Sequence, residues 1–400
     1  MAVWVVGLVL LGDVAFTDVN VVPMDAERVL PGRTVLVRGD RIVAVGRDVE
    51  VPEGTPRVDG KGLYLMPGLA DMHVHNWYEE EHVLFLANGV TTIRNLWGNG
   101  THLRWRREIE AGERLGPALH TAGDILDGEE PIWEGSVVVT TGDKAREVVA
   151  SHKARGYDAL KVYNKLPRSA YIPLVEAAQE AGLRVEGHVP YEIGIEGVLV
   201  MGQDSIEHLD GYPLKDEARL VELAAKTHAW NCVTLVVYRK LVPFEEADKL
   251  RARPEMRYVP PRLLATWDPR KDFRLKNFTA ETFDWLRRSD LLRLKATKIL
   301  HEATGRILLG TDCGNPFVVA GWSAHEELKL LVAAGLTPYE ALVCATRNPA
   351  AYVGSDSGVV AEGKRADLLL LEANPLEDVA SAAKIRVFMS AMSTSSRVRS

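Results

Sequence analysis

Short apolar runs alternate with helical patterns through the middle of this chain, and that alternation is its strongest constraint on fold. The candidate strands are Gly89–Arg94, Ala118–Ala122, Ala159–Val162, Arg184–Gly187, Ser205–Glu207, Trp230–Val237 and Arg306–Gly310. Helical patterns such as Tyr171–Gly182 and Ser323–Gly335 separate most of them. Parallel neighbours need a long crossover, so strand, helix and strand in that order make a parallel βαβ unit. Repetition of such units gives an α/β fold. The chain has 400 residues, and a (β/α)8 barrel takes about 250, which leaves room for a second, smaller unit. No internal sequence repeat is present.

The ends of these runs carry metal-capable side chains. Met66-Pro-Gly-Leu-Ala-Asp-Met-His-Val-His75 closes on His73 and His75. Residues i and i+2 of a strand share a face, so both imidazoles can grip one ion. Lys161 sits in Ala159-Leu-Lys-Val-Tyr-Asn164, an apolar run where a lysine is out of place. His188 ends Leu183-Arg-Val-Glu-Gly-His188, His208 ends Ser205-Ile-Glu-His208, and Asp312 ends Arg306-Ile-Leu-Leu-Gly-Thr-Asp312. Singly, each has an ordinary reading: a histidine satisfied in the core, or an aspartate capping a helix. Jointly they point to one place, because the C-terminal strand ends of a barrel converge on the face where active sites sit.

On these residues the chain resembles the amidohydrolase superfamily in its two-metal form. More closely it resembles the branch of prolidase-like dipeptidases and arginine or lysine carboxypeptidases, related to imidazolonepropionase. The resemblance runs from Asp18-Val-Asn-Val-Val22 to Gly363-Lys-Arg-Ala-Asp-Leu-Leu-Leu-Leu371. It implies a (β/α)8 TIM-like barrel with a small β-sandwich domain built from both chain ends. In that frame His73 and His75 follow strand 1, Lys161 strand 4, His188 strand 5, His208 strand 6 and Asp312 strand 8. The implied units are residues 1–65 and 353–400 for the sandwich and 66–352 for the barrel, with 238–298 a helical, lid-like insertion. That insertion is rich in charge, proline and aromatics, and long excursions after a barrel strand usually lie over the active-site mouth. The metal pattern is specific for the superfamily and much less so for the substrate.

Burial disfavours the charged form of a lysine, and a neutral amine can take up CO2. Lys161 is therefore expected to carry a carbamate whose two oxygens bridge two divalent ions. His73, His75 and Asp312 would hold the more buried ion, and His188 and His208 the more exposed one. The alternative is a plain ion pair of Lys161 with an acid such as Asp158. Ligand type favours zinc, though Mn or Co fits the same mixed set. Such ions lower the pKa of a shared water toward ~7, and Asp312 would pass the proton to a leaving amine. The expected activity is hydrolysis of a C–N bond in a small substrate, a dipeptide or an N-acyl amino acid. A lactonase or phosphotriesterase activity and a non-catalytic barrel scaffold are the alternatives. Tyr163 shares the strand face of Lys161 and either contacts substrate or packs. Asp210 either caps a loop or orients a substrate amine. Asp124 and Leu126-Asp-Gly128 are candidates to line the pocket, and Trp322 and His325 are read as supporting residues.

Composition narrows the partners. A formal net charge of −7 and no basic stripe exclude a nucleic-acid binder. Cys232, Cys313 and Cys344 show no paired spacing, and Cys313 is read as packing. Met1–Leu11 is apolar but short of the ~20 residues of a membrane span. Residues 1–12 are a possible leader, yet the first basic residue is Arg28 and no small-x-small cleavage site follows. The cytoplasm is favoured slightly over export, although members of the resembled branch are often exported. A homo-oligomer is left open. Residues 376–400 depart from the resembled family, which carries a final strand there, and the serine-rich end reads as an incomplete or disordered tail.

Overall fold

Eight parallel strands close into a barrel: β1 (Leu69–Val74), β2 (Val90–Asn95), β3 (Ala118–Asp127), β4 (Ala159–Val162), β5 (Arg184–Gly187), β6 (Ser205–Glu207), β7 (Trp230–Cys232) and β8 (Ile307–Leu308). They are hydrogen-bonded in that order. Closure runs from β8 back to β1: Met72 N donates to Leu309 O at 2.8 Å and Asp312 N donates to His73 O at 2.8 Å. This is a computed structural model of the chain and describes residues 8–10, 13–226, 228–241, 244–268, 271–272, 275 and 278–390. β1, β2 and β4 are buried at every position, as strands covered on both faces should be.

Helices separate the strands: α1 (Glu81–Ala87), α2 (Gly100–Glu110), α3 (Gly142–Arg155), α4 (Arg168–Ala181), α5 (Gly194–Met201), α6 (Glu217–Lys226), α7 (Ala280–Thr304) and α8 (Trp322–Ala333). Their ends are written in the sequence. Thr141 caps the first turn of α3 by accepting from Lys144 N, and Gly156 ends it at φ 85°, a conformation that favours glycine. Among the described residues no helix is long and apolar enough to cross a membrane.

Both chain ends build the second sheet. Its order is Leu8–Leu10, Ile385–Met389, Leu368–Leu371, Tyr64–Pro67, Val14–Val21, Leu30–Arg38 and Arg41–Gly46, with Arg57–Asp59 pairing off Val14–Val21. The run Leu368–Leu371 alternates: Leu368 and Leu370 enter the small sandwich core, while Leu369 and Leu371 join the barrel core. That period of two seats the sheet on the barrel. The chain does form a strand at Ile385–Met389, antiparallel to Leu368–Leu371. Residues 391–400, to which the tail reading also applied, lie outside the described residues, as do residues 1–7, 11 and 12 of the leader reading.

One predicted strand is shorter than its apolar run. Trp230–Val237 is strand only to Cys232, and Leu235–Lys240 is helical. Thr234 turns the chain at φ 46°, ψ 49°. The wholly buried Glu327 on α8 then accepts from Leu235 N at 2.8 Å and Val236 N at 2.7 Å. A carboxyl group from a distant helix thus satisfies the first free amides of the new one. From there the excursion between β7 and β8 continues through helical turns at Phe244–Arg251, Pro254–Tyr258 and Pro261–Leu264 to α7. Ala247, Met256, Val259, Leu263 and Trp267 pack on Phe317 and Val319 of the loop after β8.

Candidate active site

A cavity of about 380 Å³ opens at the C-terminal ends of the barrel strands, lined by His73, His75, Lys161, His188, His208 and Asp312. All six residues singled out in the sequence therefore meet in one place. His73 lies near the end of β1 and His75 just past it; Lys161 is in β4; His188 and His208 follow β5 and β6; Asp312 follows β8. The ring centroids of His73 and His208 are 4.6 Å apart, and those of His188 and His208 4.8 Å. Asp312 Oδ1 is 3.1 Å from His75 Nε2 and 3.4 Å from His73 Nε2.

The backbone is strained where it presents these groups. His208 (φ 64°), Leu209 (φ 58°) and Asp312 (φ 61°) occupy the left-handed region, at a cost of about 1–3 kcal/mol each. Long-range hydrogen bonds hold two of them: His208 N to Cys232 O at 2.9 Å and Asp312 N to His73 O at 2.8 Å. Close approach also matters. At Gly310 a Cβ would lie 2.2 Å from Cys232 Sγ and 2.8 Å from His73 Cβ, so only glycine lets β8 close against β1 and β7.

The donor set fits a cation. Ligand atoms of His73, His208 and Asp312 lie within 4.8 Å of one another. His73 Nε2, Lys161 Nζ and Asp312 Oδ1 are buried without a hydrogen-bond partner, a state that is costly unless something binds them. Asp158 does not pair with Lys161; it accepts from Arg106 at 2.8 Å and from Thr121 N at 2.7 Å. Burial, the largest influence, lowers the Lys161 pKa; Glu207 and Asp312 oppose this and Arg94 adds to it. Burial alone would raise the Asp312 carboxyl, but the surrounding imidazoles hold it well below the usual carboxylate range. A second grouping, His73 with Glu207 and Cys232, is a poorer donor set: Glu207 is already tied to Arg94 at 2.9 Å, and burial pushes the Cys232 thiol well up.

Sequence reasoning missed the layer beneath. Glu207 Oε2 is 2.7 Å from His73 Nδ1, and its other oxygen accepts from Arg94 and Ser205. Arg94 also donates to Met72 O at 2.6 Å and faces Glu186 at 3.3 Å, and Glu186 accepts from Tyr352. These charged groups are 0–2 % exposed. Strand alternation gave no signal for Glu207: it and His208 are neighbours, yet the left-handed turn at His208 (φ 64°) brings its ring to within 4.6 Å of the same His73 ring that Glu207 bonds. Arg94 stood in a candidate strand without attracting notice.

The remaining candidates divide. Tyr163 lines the cavity, its ring centroid 4.0 Å from that of His188. Asp210 does not line it; Oδ2 accepts from Asn164 at 2.7 Å and Val189 N at 2.9 Å, and lies 3.3 Å from His188 Nδ1. Asp124 faces Arg155 at 3.6 Å rather than the cavity. Asp127 braces its own loop by accepting from Gly128, Ile132 and Lys165 amides; neighbouring Ile125 is the residue that reaches the cavity. His325 bonds Asn88 O at 2.9 Å. Cys313, Cys232 and Cys344 are buried free thiols.

A barrel with histidines, a lysine and an aspartate gathered at its strand ends defines a class of hydrolases that activate water at bound metal. The chain belongs to the amidohydrolase family, whose profile matches residues 64–393. It is accordingly a hydrolase acting on carbon–nitrogen bonds, in a family that typically binds divalent metal ions. It is 24% identical over 428 aligned positions to an ochratoxinase of Aspergillus niger, covering 86% of this chain and 78% of that one. Among solved structures it resembles a putative prolidase from Bifidobacterium longum (TM-score 0.76, 25% identity, 96% of this chain and 94% of that one). It also resembles a bottromycin amidohydrolase (TM-score 0.78, 26% identity, 95% and 87%).

Proposed function

We propose that this protein is a two-metal hydrolase of amide bonds in small substrates, cleaving a dipeptide or an N-acyl amino acid. The observation that carries this reading is the group of buried, unpartnered ligand atoms on His73, Lys161 and Asp312, facing one cavity with His75, His188 and His208. His73, His75 and Asp312 would hold the deeper ion, His188 and His208 the outer one, and a carbamate on Lys161 would bridge them. Zinc suits the mixed nitrogen and oxygen set. When bound, such ions supply an activated water near neutral pH and polarise the substrate carbonyl.

The chain's own groups do the rest. Asp312, kept ionised by its imidazole neighbours, accepts the proton of the attacking water and delivers it to the leaving amine. Asp210 fixes the His188 ring through Nδ1, which leaves Nε2 as the ligating atom. Tyr163 faces the cavity beside His188 and is assigned to contact substrate. The excursion after β7 contributes Tyr238, Leu241, Thr266 and Trp267 to the cavity wall and so limits water access. The division into a barrel over 66–352 and flanking sandwich segments at 1–65 and 353–400 follows the same reading.

The test is a panel of dipeptides, N-acyl amino acids, lactones and phosphotriesters, run with metal-loaded protein in bicarbonate. Amide turnover is expected. Ester or phosphotriester turnover with no amide turnover rejects the reading, and failure to bind any divalent ion favours a non-catalytic scaffold.

A further inference from the structure

Four successive βα loops each deliver one aromatic side chain to the cavity: Trp77 after β1, Trp97 after β2, Trp133 after β3 and Tyr163 after β4. They form a continuous wall. Trp77 stacks on the His75 ring at 5.8 Å with 14° between planes, Trp97 meets Trp77 edge-on at 5.3 Å, and Trp133 follows at 6.0 Å. Trp133 Nε1 donates to Tyr163 Oη at 2.7 Å, so that indole turns its polar edge into the wall and its apolar surface remains for a ligand. Glycines hold the loops close. At Gly98 a Cβ would sit 2.0 Å from Ala122 O, and at Gly314, where φ is +97°, 2.9 Å from Trp77 Nε1.

The wall leaves much indole surface uncovered: Trp77 is 38% exposed, and Trp97 and Trp133 are half-buried. Exposed apolar surface gathered in a concave site marks a binding face. The cavity is lined as well by the apolar side chains of Val237, Leu241, Trp267 and Pro316. Outside the six candidate ligands, the charged lining residues among those described are Lys271 and Asp272, adjacent and opposite in sign. Among the described residues Asp272 is thus the one lining acid outside the candidate ligands, and the adjacent Lys271 offsets its charge toward a cationic side chain.

We propose that this aromatic wall is the specificity element of the site and takes a planar aromatic or bulky apolar group on one side of the scissile amide, in preference to a small or cationic one. The proposal rests on the amide-hydrolase reading for the word amide, but the wall's preference can be read without turnover.

Two measurements test it on the metal-loaded protein. The first is equilibrium binding of phenylacetate, 1-naphthoate, acetate and 4-guanidinobutanoate, followed by tryptophan fluorescence and calorimetry. The aromatic acids should bind at least about tenfold tighter than the other two, as a filled apolar pocket allows. Trp97→Leu and Trp133→Leu should each remove most of that advantage, while Trp97→Phe, which keeps a ring, should retain it. Circular dichroism and metal content confirm that each variant is folded and loaded. The second is kcat/KM for Phe-Ala, Ala-Phe, Ala-Ala, Arg-Ala and Ala-Arg. One phenylalanyl isomer should lead, and its lead over Ala-Ala should collapse in Trp97→Leu. Equal binding of all four acids, or Ala-Ala or an arginyl dipeptide leading the series, overturns the wall's role. Aromatic preference in binding with neither a dipeptide nor an N-acyl amino acid hydrolysed supports the wall and refutes the amide reading instead.

Discussion

Glu207 Oε2 lies 2.7 Å from His73 Nδ1, both side chains wholly out of water. An ionised Glu207 can only accept, so Nδ1–H donates to it and Nε2 keeps its lone pair on the side of Asp312 and His208. Burial above all pushes the His73 pKa down to about 4, so the ring is neutral and ready to ligate. Burial alone would raise the Glu207 pKa, but the Arg94 charge and the hydrogen bond from His73 hold it well below the usual carboxylate range.

Glu207→Gln should therefore weaken divalent metal binding by about 10–100-fold, the usual loss when the partner of a ligating histidine is altered. Competition against a chromophoric chelator reads this directly. Glu207→Ala should in addition destabilise the fold, by about 3–5 kcal/mol, since Arg94 loses a buried counter-charge. Unchanged metal affinity in the glutamine variant would show that Glu207 serves Arg94 alone.

Lys161 is buried, and no oxygen or nitrogen hydrogen-bonds its Nζ. A plain ammonium there would be strongly penalised. Protein equilibrated with 13C-bicarbonate should give a carbamate carbon signal that is absent from Lys161→Ala. That variant should also bind less metal and lose at least about 10³-fold in kcat/KM, on the scale of an activated water lost. Full activity in Lys161→Ala would sink the bridging role.

Asp312 is cast both as ligand and as proton acceptor. Asp312→Asn keeps the shape and the carbonyl oxygen but cannot take a proton at the operating pH. Its kcat should fall by about 10²–10⁴-fold, the range typical of a lost general base, at metal occupancy matched to the parent. If kcat at matched occupancy stays near the parent value, the proton goes elsewhere.

Much of this architecture was legible in the chain itself. Lys161, His188 and His208 each stood out because a polar, metal-capable group interrupted or ended an apolar run, and a barrel has one face where such ends meet. What stayed hidden is instructive. Arg94, Glu186 and Glu207 sit inside strands at positions that face the barrel axis. A charged residue there reads locally as a solvent-facing one, and only closure of the barrel brings the partners together, 111 and 113 residues apart for Arg94 with Ser205 and Glu207. The Trp230–Val237 run misled for a similar reason. Its helical second half depends on Glu327, 92 residues from Leu235, and no local pattern records that cap. Asp210 was read either as a loop cap or as a substrate contact; its Oδ2 accepts from Val189 N and Asn164 and lies 3.3 Å from His188 Nδ1, a partnership across the loop that no local pattern records.

Glu327 also yields a pH dependence away from the metal ligands. Burial, the largest cause, raises its pKa from 4.5 to about 8, against the pull of the Leu235 and Val236 amides. In the unfolded chain it ionises near the ordinary value. The folded state thus holds this proton over a window where the unfolded state has lost it. Glu327's contribution is fully present below pH ~4.5 and is lost as pH rises through about 8, at up to about 1.4 kcal/mol per pH unit between those values. Glu327→Gln mimics the protonated form and cannot ionise. In urea melts, the parent's stability relative to this variant should decline steadily from pH 5 to pH 8 and level off above that. Glu81, raised to about 7, titrates alike in the two proteins and cancels in the difference, whereas Asp71, also raised to about 7 and in repulsion with the Glu327 charge, adds to the decline. A flat difference across that window would mean that Glu327 enters the fold already ionised, with its two amide bonds offsetting the burial of the charge.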